Sequence, residues 1–274
     1  MTDAALPPPP PAPKGWTGAR LAGHVFLGFW VLAGFAIVLG VATGWDGTFL
    51  ATYGPRLIEG LKVTLWLVFW SLSIGALLSL PIAAGRMSKS RILGGFAFAW
   101  VYFFRGTPLL AQTFLVYYGA GSFSAELKAL GLWDFFREAM FCAVFTFALN
   151  TSAYQAEILG GALRNVPKGQ REAAAALALP RHVTFFKVIL PQALIVALRP
   201  YGNEIILMIK GSAIASIITV LDLMGETRRA FSRSFDFEAY LWAAILYLVM
   251  VEILRRVWDL LEKRLTRHLQ RREE

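Results

Sequence analysis

Seven polar or ionisable residues stand in stretches that are otherwise apolar: Arg105, Asn150, Tyr154, Glu157, Asn203, Glu204 and Lys210. A zwitterionic or cationic solute crossing an apolar medium needs such groups. Its cationic end needs acceptors, which Glu204 can supply, and its anionic end needs a donor, which Lys210 can supply. An ionisable group in such a stretch is costly, so it pairs or faces a cavity. Hydrogen bonding between helices is the competing reading for Asn150, Tyr154, Asn203 and Glu204, and residue type leaves both open. Glu157 can serve a pathway, pair with Arg164 two helical turns on, or cap a neighbour. Covalent chemistry has no support. There is no catalytic pair and no Gly-x4-Gly-Lys-Ser/Thr phosphate loop. His24, His182 and His268 are far apart, without metal-ligand spacing, and the single Cys142 excludes an internal disulfide. No metal or cofactor is expected.

A second group of residues has the chemistry of a docking element. Pro167 to Pro191 forms a polar, alanine-rich island between two apolar stretches. Gln170 to Ala178 is strongly helix-forming, with Glu172 placed early, where an acid complements the helix dipole. Leu179 precedes Pro180, which disfavours α geometry and predicts a helix end. Pro180 then suits the first position of a second short helix. Phe185, Phe186, Ile189 and Leu190 give that helix an apolar face, opposite Arg181, Lys187 and Gln192. Pro191 predicts its end or a sharp bend. Small side chains on the first arm admit close approach of a partner, and Glu172 offers a charged anchor. A hairpin lying on lipid is the alternative.

The elements that must hold these residues are membrane spans. The chain is 57% apolar and only 16% charged, where soluble domains approach a quarter charged. Its net charge of +9 sits in short loops rather than one patch, which argues against nucleic acid and follows the positive-inside bias. Six apolar stretches are long enough to span, at about 24–44, 58–84, 94–119, 139–163, 190–212 and 239–261. Basic residues cluster before the first, after the second and fourth, and after the sixth. That places both termini and the 164–189 loop in the cytoplasm. Pro81, Pro108 and Pro200, with Gly75, Gly106 and Gly202, predict kinks or breaks. Pro7 to Pro11 reads as a disordered tail. Glu59 and Lys62 read as a surface pair, and the basic run closing the chain suits anionic lipid headgroups.

The island resembles the EAA motif of permease subunits of ATP-binding-cassette importers. Glu172-Ala173-Ala174 is followed at the family spacing by Ala178 and by Val188-x-Leu190-Pro191. Ala178 stands where the family has glycine, which costs about 1 kcal/mol or more if the turn requires positive φ; Pro180 offers another route through the turn. Three further stretches, Arg105-Gly106-Thr107-Pro108-Leu109-Leu110, Ala153 to Ile158 and Val166 to Gln170, are similar to permeases of the polar amino acid uptake group. Gly202 to Lys210 is most like the branch handling histidine, lysine, arginine, ornithine and opines.

The resemblance, over roughly residues 57–268, implies an all-α, polytopic helical membrane protein with six transmembrane helices. Five would form a MetI-like permease core, and the amino-terminal one would be extra. The implied domains are a proline-rich tail (1–20), an extra span with its linker (21–56), a permease domain (57–268) with its coupling loop (164–191), and a closing tail (269–274). Gly169, Glu172, Ala173, Ala174, Ala178 and Pro191 would couple to the ATPase, with Ala173, Ala174 and Ala178 as the close-contact surface. Arg105 would have a structural or gating role rather than direct substrate contact. The implied partners are two ATP-binding subunits, a second permease, identical or homologous, a periplasmic amino acid-binding protein and lipid. The setting would be the bacterial inner membrane, and ATP hydrolysis would belong to the separate subunits. An ion-coupled secondary transporter is the rival class; an intramembrane enzyme lacks any catalytic pair.

Overall fold

The computed structural model describes residues 17–44 and 47–270, and every regular element among them is helical. Pro7 to Pro11 and residues 271–274 lie outside the described residues, and Gly18 to Arg20 already belong to the first helix. The chain divides into two compact units, Met1–Thr48 and Phe49–Glu274. The first holds α1 (Gly18–Gly44), apolar on every face, as a lipid-facing helix must be. Within it the Trp30 ring meets Phe26 and Phe29 edge-on.

The second unit is a helical bundle. Its long members are α2 (Thr48–Arg86), the pair α3 (Arg91–Gly106) and α4 (Leu109–Ser122), α7 (Ala139–Asn165), α10 (Leu190–Ser212) and α12 (Glu238–Gln270). Short helices join them: α5 (Ser124–Ala129), α6 (Trp133–Phe136), α8 (Lys168–Ala176), α9 (Arg181–Val183) and α11 (Leu223–Ser234). Among the described residues, three helical stretches are long and apolar enough to cross a membrane: Gly18–Ala36, Thr48–Arg86 and the continuous helix Arg181–Ile218. The expected stretches 139–163 and 190–212 fall on α7 and α10 almost to the residue.

Two expectations change. The stretch 94–119 is two helices, because Pro108 stops α3 and restarts the chain as the N-cap of α4. Pro191 does not end or sharply bend its helix. It sits in the first turn of α10, which continues from α9 through a π-helical segment, Thr184–Ile189. There the Leu190 N–H reaches back five residues to the Phe185 carbonyl. The widened turn accommodates a proline ring that would otherwise crowd the preceding turn.

Two apolar cores occupy the two ends of this unit. One includes Leu57, Leu67, Phe147, Met208, Ile218 and Leu223; the other includes Ile82, Ala97, Ala156, Leu163, Ile189 and Ala197. On every long helix shared by both, a polar or small residue separates them. These are Ser71, Gly75 and Ser79 on α2, Asn150, Thr151 and Ser152 on α7, and Gly202 and Glu204 on α10, all buried. The belt depends on close approach. A Cβ at Gly75 would collide with the Thr151 methyl and lie 3.1 Å from Gln155 Nε2. Gly75→Val is therefore expected to cost about 1–3 kcal/mol by overpacking, read as a lower thermal unfolding midpoint in detergent. An unchanged midpoint would show that the belt yields without cost.

Candidate functional site

The polar belt is built first to repair its own backbone. Pro108 has no N–H to give to the Phe104 carbonyl, one turn back in α3. Asn150 Nδ2 donates to that carbonyl at 2.8 Å, and Gln112 Nε2 does so at 3.1 Å. Gln112 also donates to the Thr107 hydroxyl at 2.7 Å and accepts from Asn150 at 3.0 Å. Asn150 therefore holds the helix break, as the interhelical reading of this residue anticipates. Beside it, the Thr151 hydroxyl donates to Glu204 Oε1 at 2.7 Å and accepts from Gln155 Nε2 at 3.1 Å. Glu204 is buried, so it too is engaged between helices.

Arg105, Tyr154 and Glu157 come together elsewhere, on α3 and α7, around a cavity of ≈380 Å³. Arg86, the last residue of α2, completes the group. Its Nε donates to Glu157 Oε1 at 2.8 Å, so Glu157 pairs with Arg86 rather than with Arg164. The Arg86 guanidinium lies 5.4 Å from the Phe98 ring centre, and that of Arg105 lies 5.1 Å from the Tyr154 ring centre. Cations held against aromatic faces are positioned without being fully neutralised. Two guanidinium groups, one carboxylate and the phenols of Tyr102 and Tyr154 thus face one half-buried space, a set able to hold a carboxylate and an ammonium at once. Arg86 was legible only as a loop charge, since its role arises from contact across 71 residues of chain.

Asn203 and Lys210 do not join this group. Asn203 lines a groove against α12 with Arg199 and Trp258, and Lys210 is exposed in the last turn of α10. In that groove the Trp258 ring lies where a side chain at Gly202 would begin, and its Nε1 donates to the Leu198 carbonyl at 2.8 Å.

The hairpin forms at the end of the bundle where α2 and α7 finish. Helix α8 runs Lys168–Ala176 and closes in a Schellman turn. The Leu179 N–H donates to the Ala174 carbonyl at 3.0 Å, and the Ala178 N–H to the Ala175 carbonyl at 2.9 Å. Ala178 occupies the left-handed position at φ 50. The turn thus keeps the geometry that suits glycine, and Pro180 does not replace it. Gly169, Glu172, Ala173 and Ala178 are exposed, as is Pro191 on the second arm. Ala174 is not on the contact surface. It is buried and packs the arm against its own chain. Residue type did not single out Leu177, which is 73% exposed at the tip. Behind the hairpin, Arg171 donates to the Leu163 carbonyl at 3.2 Å and tethers the first arm to α7.

A family of binding-protein-dependent transport system inner membrane components matches residues 72–267. The chain belongs to this family. Among relatives, a nopaline transport system permease protein of Agrobacterium fabrum is 40% identical over 219 residues, covering 80% of this chain and 91% of that protein. A histidine/lysine/arginine/ornithine transport system permease protein of Escherichia coli K12 is 38% identical over 221 residues, covering 80% and 92%. A solved amino acid ABC transporter with histidines is similar at 35% identity and a TM-score of 0.71, over 80% of this chain and 99% of that one. A chain of the MetNI methionine ABC transporter shares the fold at 19% identity and a TM-score of 0.63. This inner membrane component has a transport role, and the family assigns it to binding-protein-dependent import rather than ion-coupled transport.

Glycine at position 178 would remove the strained Cβ and is expected to stabilise the hairpin turn by about 1 kcal/mol. In hydrogen exchange, the Leu179 amide of Ala178→Gly should exchange about fivefold more slowly than in the parent chain. Faster exchange would mean that the alanine is compatible with the turn and that glycine only loosens the unfolded chain.

Proposed function

We propose that this chain is the translocation subunit of an ATP-binding-cassette importer for a basic amino acid or an opine. One observation carries the coupling role: a helical hairpin at one end of the bundle, tethered to α7, presents Glu172, Ala173 and Leu177 outward. In this reading the hairpin and both termini face the cytoplasm and the six helical passes span the inner membrane. The hairpin seats in a separate ATPase subunit, one per permease in a pair. Small side chains let the ATPase surface approach closely, Leu177 fills a recess, and Glu172 finds a cation. The names of the relatives, for nopaline and for histidine, lysine, arginine and ornithine, support the substrate class.

The cavity of Arg86, Arg105, Tyr154 and Glu157 is the pathway station in this reading. Arg105, held against the Tyr154 ring, gates the cavity, and Glu157 receives an ammonium or guanidinium once Arg86 gives way. Asn150 and Glu204 keep the pathway walls together. The extra helix α1 (Gly18–Gly44) precedes the permease domain in the chain, and that domain starts with α2 at Thr48 rather than at residue 57, so residues 48–56 are helix and not linker.

Two measurements test the proposal in reconstituted importer. Glu172→Lys should leave membrane insertion intact, while uptake and co-purification of the ATPase fall at least tenfold, because a like charge replaces a paired one at a desolvated contact. Normal uptake would sink the coupling role. Glu157→Gln should raise the KM for a cationic amino acid about tenfold and change kcat less, as loss of one charged contact to the bound substrate requires. An unchanged KM would remove Glu157 from the pathway.

A further inference from the structure

The end of the bundle opposite the hairpin carries a surface that the cavity and the coupling hairpin do not use. After α10 the chain runs through a 3-10 segment, Ala213–Ile218, and a left-handed Thr219 at φ 69 into α11. Asp222 caps α11, its Oδ1 accepting from the Gly225 N–H at 2.9 Å, and the Leu223 N–H donates to the Thr64 hydroxyl of α2 at 3.0 Å. Leu223, Glu226, Thr227 and Ala230 form its buried face. The apolar side of this amphipathic helix is thus consumed within the protein. What it turns outward is Arg228, Arg229 and Arg233.

Arg228 and Arg229 line a cavity of ≈540 Å³ with Ser216, Thr219, Ser232 and Tyr240. The two arginines are the charged groups of its wall. Arg229 touches Glu226 through one nitrogen at 3.4 Å, and Arg228 has no ion-pair partner among the described residues. Most of two guanidinium forks therefore remains available. Beside the cavity, Phe235 is held left-handed at φ 54 and is 78% exposed, and Phe237 is 75% exposed. Both rings rest on Phe231, at 6.3 and 5.1 Å between centres, so they stand as a fixed aromatic platform. Asp236 is occupied in accepting from the Glu238 N–H at 2.9 Å. Arginine and rigid aromatics around a concave site are the composition of a protein-binding hot spot.

We infer that this cavity and platform are the seat of the soluble binding protein, with an acidic side chain of that protein entering between Arg228 and Arg229 and its apolar neighbour covering Phe235 and Phe237. The inference rests on the importer reading above and names the contact through which the binding protein acts. The occupant follows from three observations. The family is binding-protein-dependent. The surface lies at the end away from the ATPase hairpin. The outward face of α11 is charged rather than apolar, which suits a soluble protein and not insertion into lipid.

The test uses the whole importer in lipid nanodiscs. ATP hydrolysis is titrated with its soluble binding protein, loaded from a mixture of basic amino acids, nopaline and octopine. Arg228→Glu and Phe235→Gly should each raise the half-saturating concentration of binding protein about tenfold. The rate at saturation should stay within about twofold, and the salt dependence should flatten in Arg228→Glu. Arg228→Gln, milder for folding, should give a smaller shift in the same direction. Unchanged half-saturation in all three overturns the inference. So does a shift that disappears when phosphatidylglycerol is left out of the nanodisc, since the patch would then belong to headgroups. A changed requirement for substrate at unchanged half-saturation overturns it too, because the cavity would then hold substrate. A parent importer that the binding protein does not stimulate overturns the importer reading itself; stimulation of the parent with unmoved variants overturns only this surface.

Discussion

The second unit depends on a carbonyl that a proline leaves without a partner. In an apolar medium water does not repair a broken helix, so a lost backbone hydrogen bond must be replaced from within the protein. Asn150 and Gln112 replace it at Phe104, and this fixes more than one bond. It ties α3 and α4 to α7 at the level where the two apolar cores meet. It also sets the aspect of α3 that carries Arg105 toward Tyr154. The neighbouring chain from Gln155 through Thr151 to Glu204 adds α10 to the same level. Helix α7, with Asn150, Thr151, Ser152 and Gln155 buried along one stretch, is the post on which the other helices hang.

That arrangement makes the hairpin and the belt mechanically continuous. The second arm of the hairpin is the start of a helix running from Arg181 to Ile218, about 57 Å at the usual rise. It carries Glu204 near its middle and leads directly into the segment that positions α11. Pro200 lies inside α10 just before the belt, and nearer the hairpin comes the π-helical turn at Thr184–Ile189. That turn keeps the rod unbroken where Pro191 would otherwise stop it. A displacement of the hairpin can therefore be passed along one rod instead of dissipating in a loop. Domain motions of this kind use packed elements with two resting positions, and Gly75 lets α2 approach the Thr151 methyl of α7 closely at the belt.

Much of this was legible from residue type and order. Spans 139–163 and 190–212, the hairpin around Leu179-Pro180, and the exposed Glu59–Lys62 pair at 2.6 Å all follow from periodicity, proline rules and spacing. The partners of Glu157 and of Arg105 did not follow, because they are set by how helices face one another across long stretches of sequence. The π turn was hidden for a similar reason: Pro191 states that a helix is in difficulty, and only the geometry of the preceding residues states how the difficulty is solved. Helix α11 passed unnoticed because its apolar face is short and its sequence reads as a polar loop, although Asp222 followed by an early Glu226 is a start signal.

The Arg86–Glu157 pair bears on how the proposed pathway cavity would select its cargo. Both side chains are about a quarter exposed, so the pair is neither fully screened nor locked in a dry interior, where removing a partner would be prohibitive. A guanidinium of the protein thus occupies the place that a cationic substrate group would need. Entry of a cationic substrate, as proposed, would then be an exchange of one cation for another at the same carboxylate, close to neutral in Coulomb energy. A neutral side chain would have to displace Arg86 without offering Glu157 anything in return. The exchange also moves Arg86, the last residue of α2, at the end of the bundle where the hairpin sits. On the proposed reading, occupation of the cavity and the position of the helix ends would be linked through one ion pair, giving the substrate a direct physical means of influencing the end of the protein that carries the hairpin.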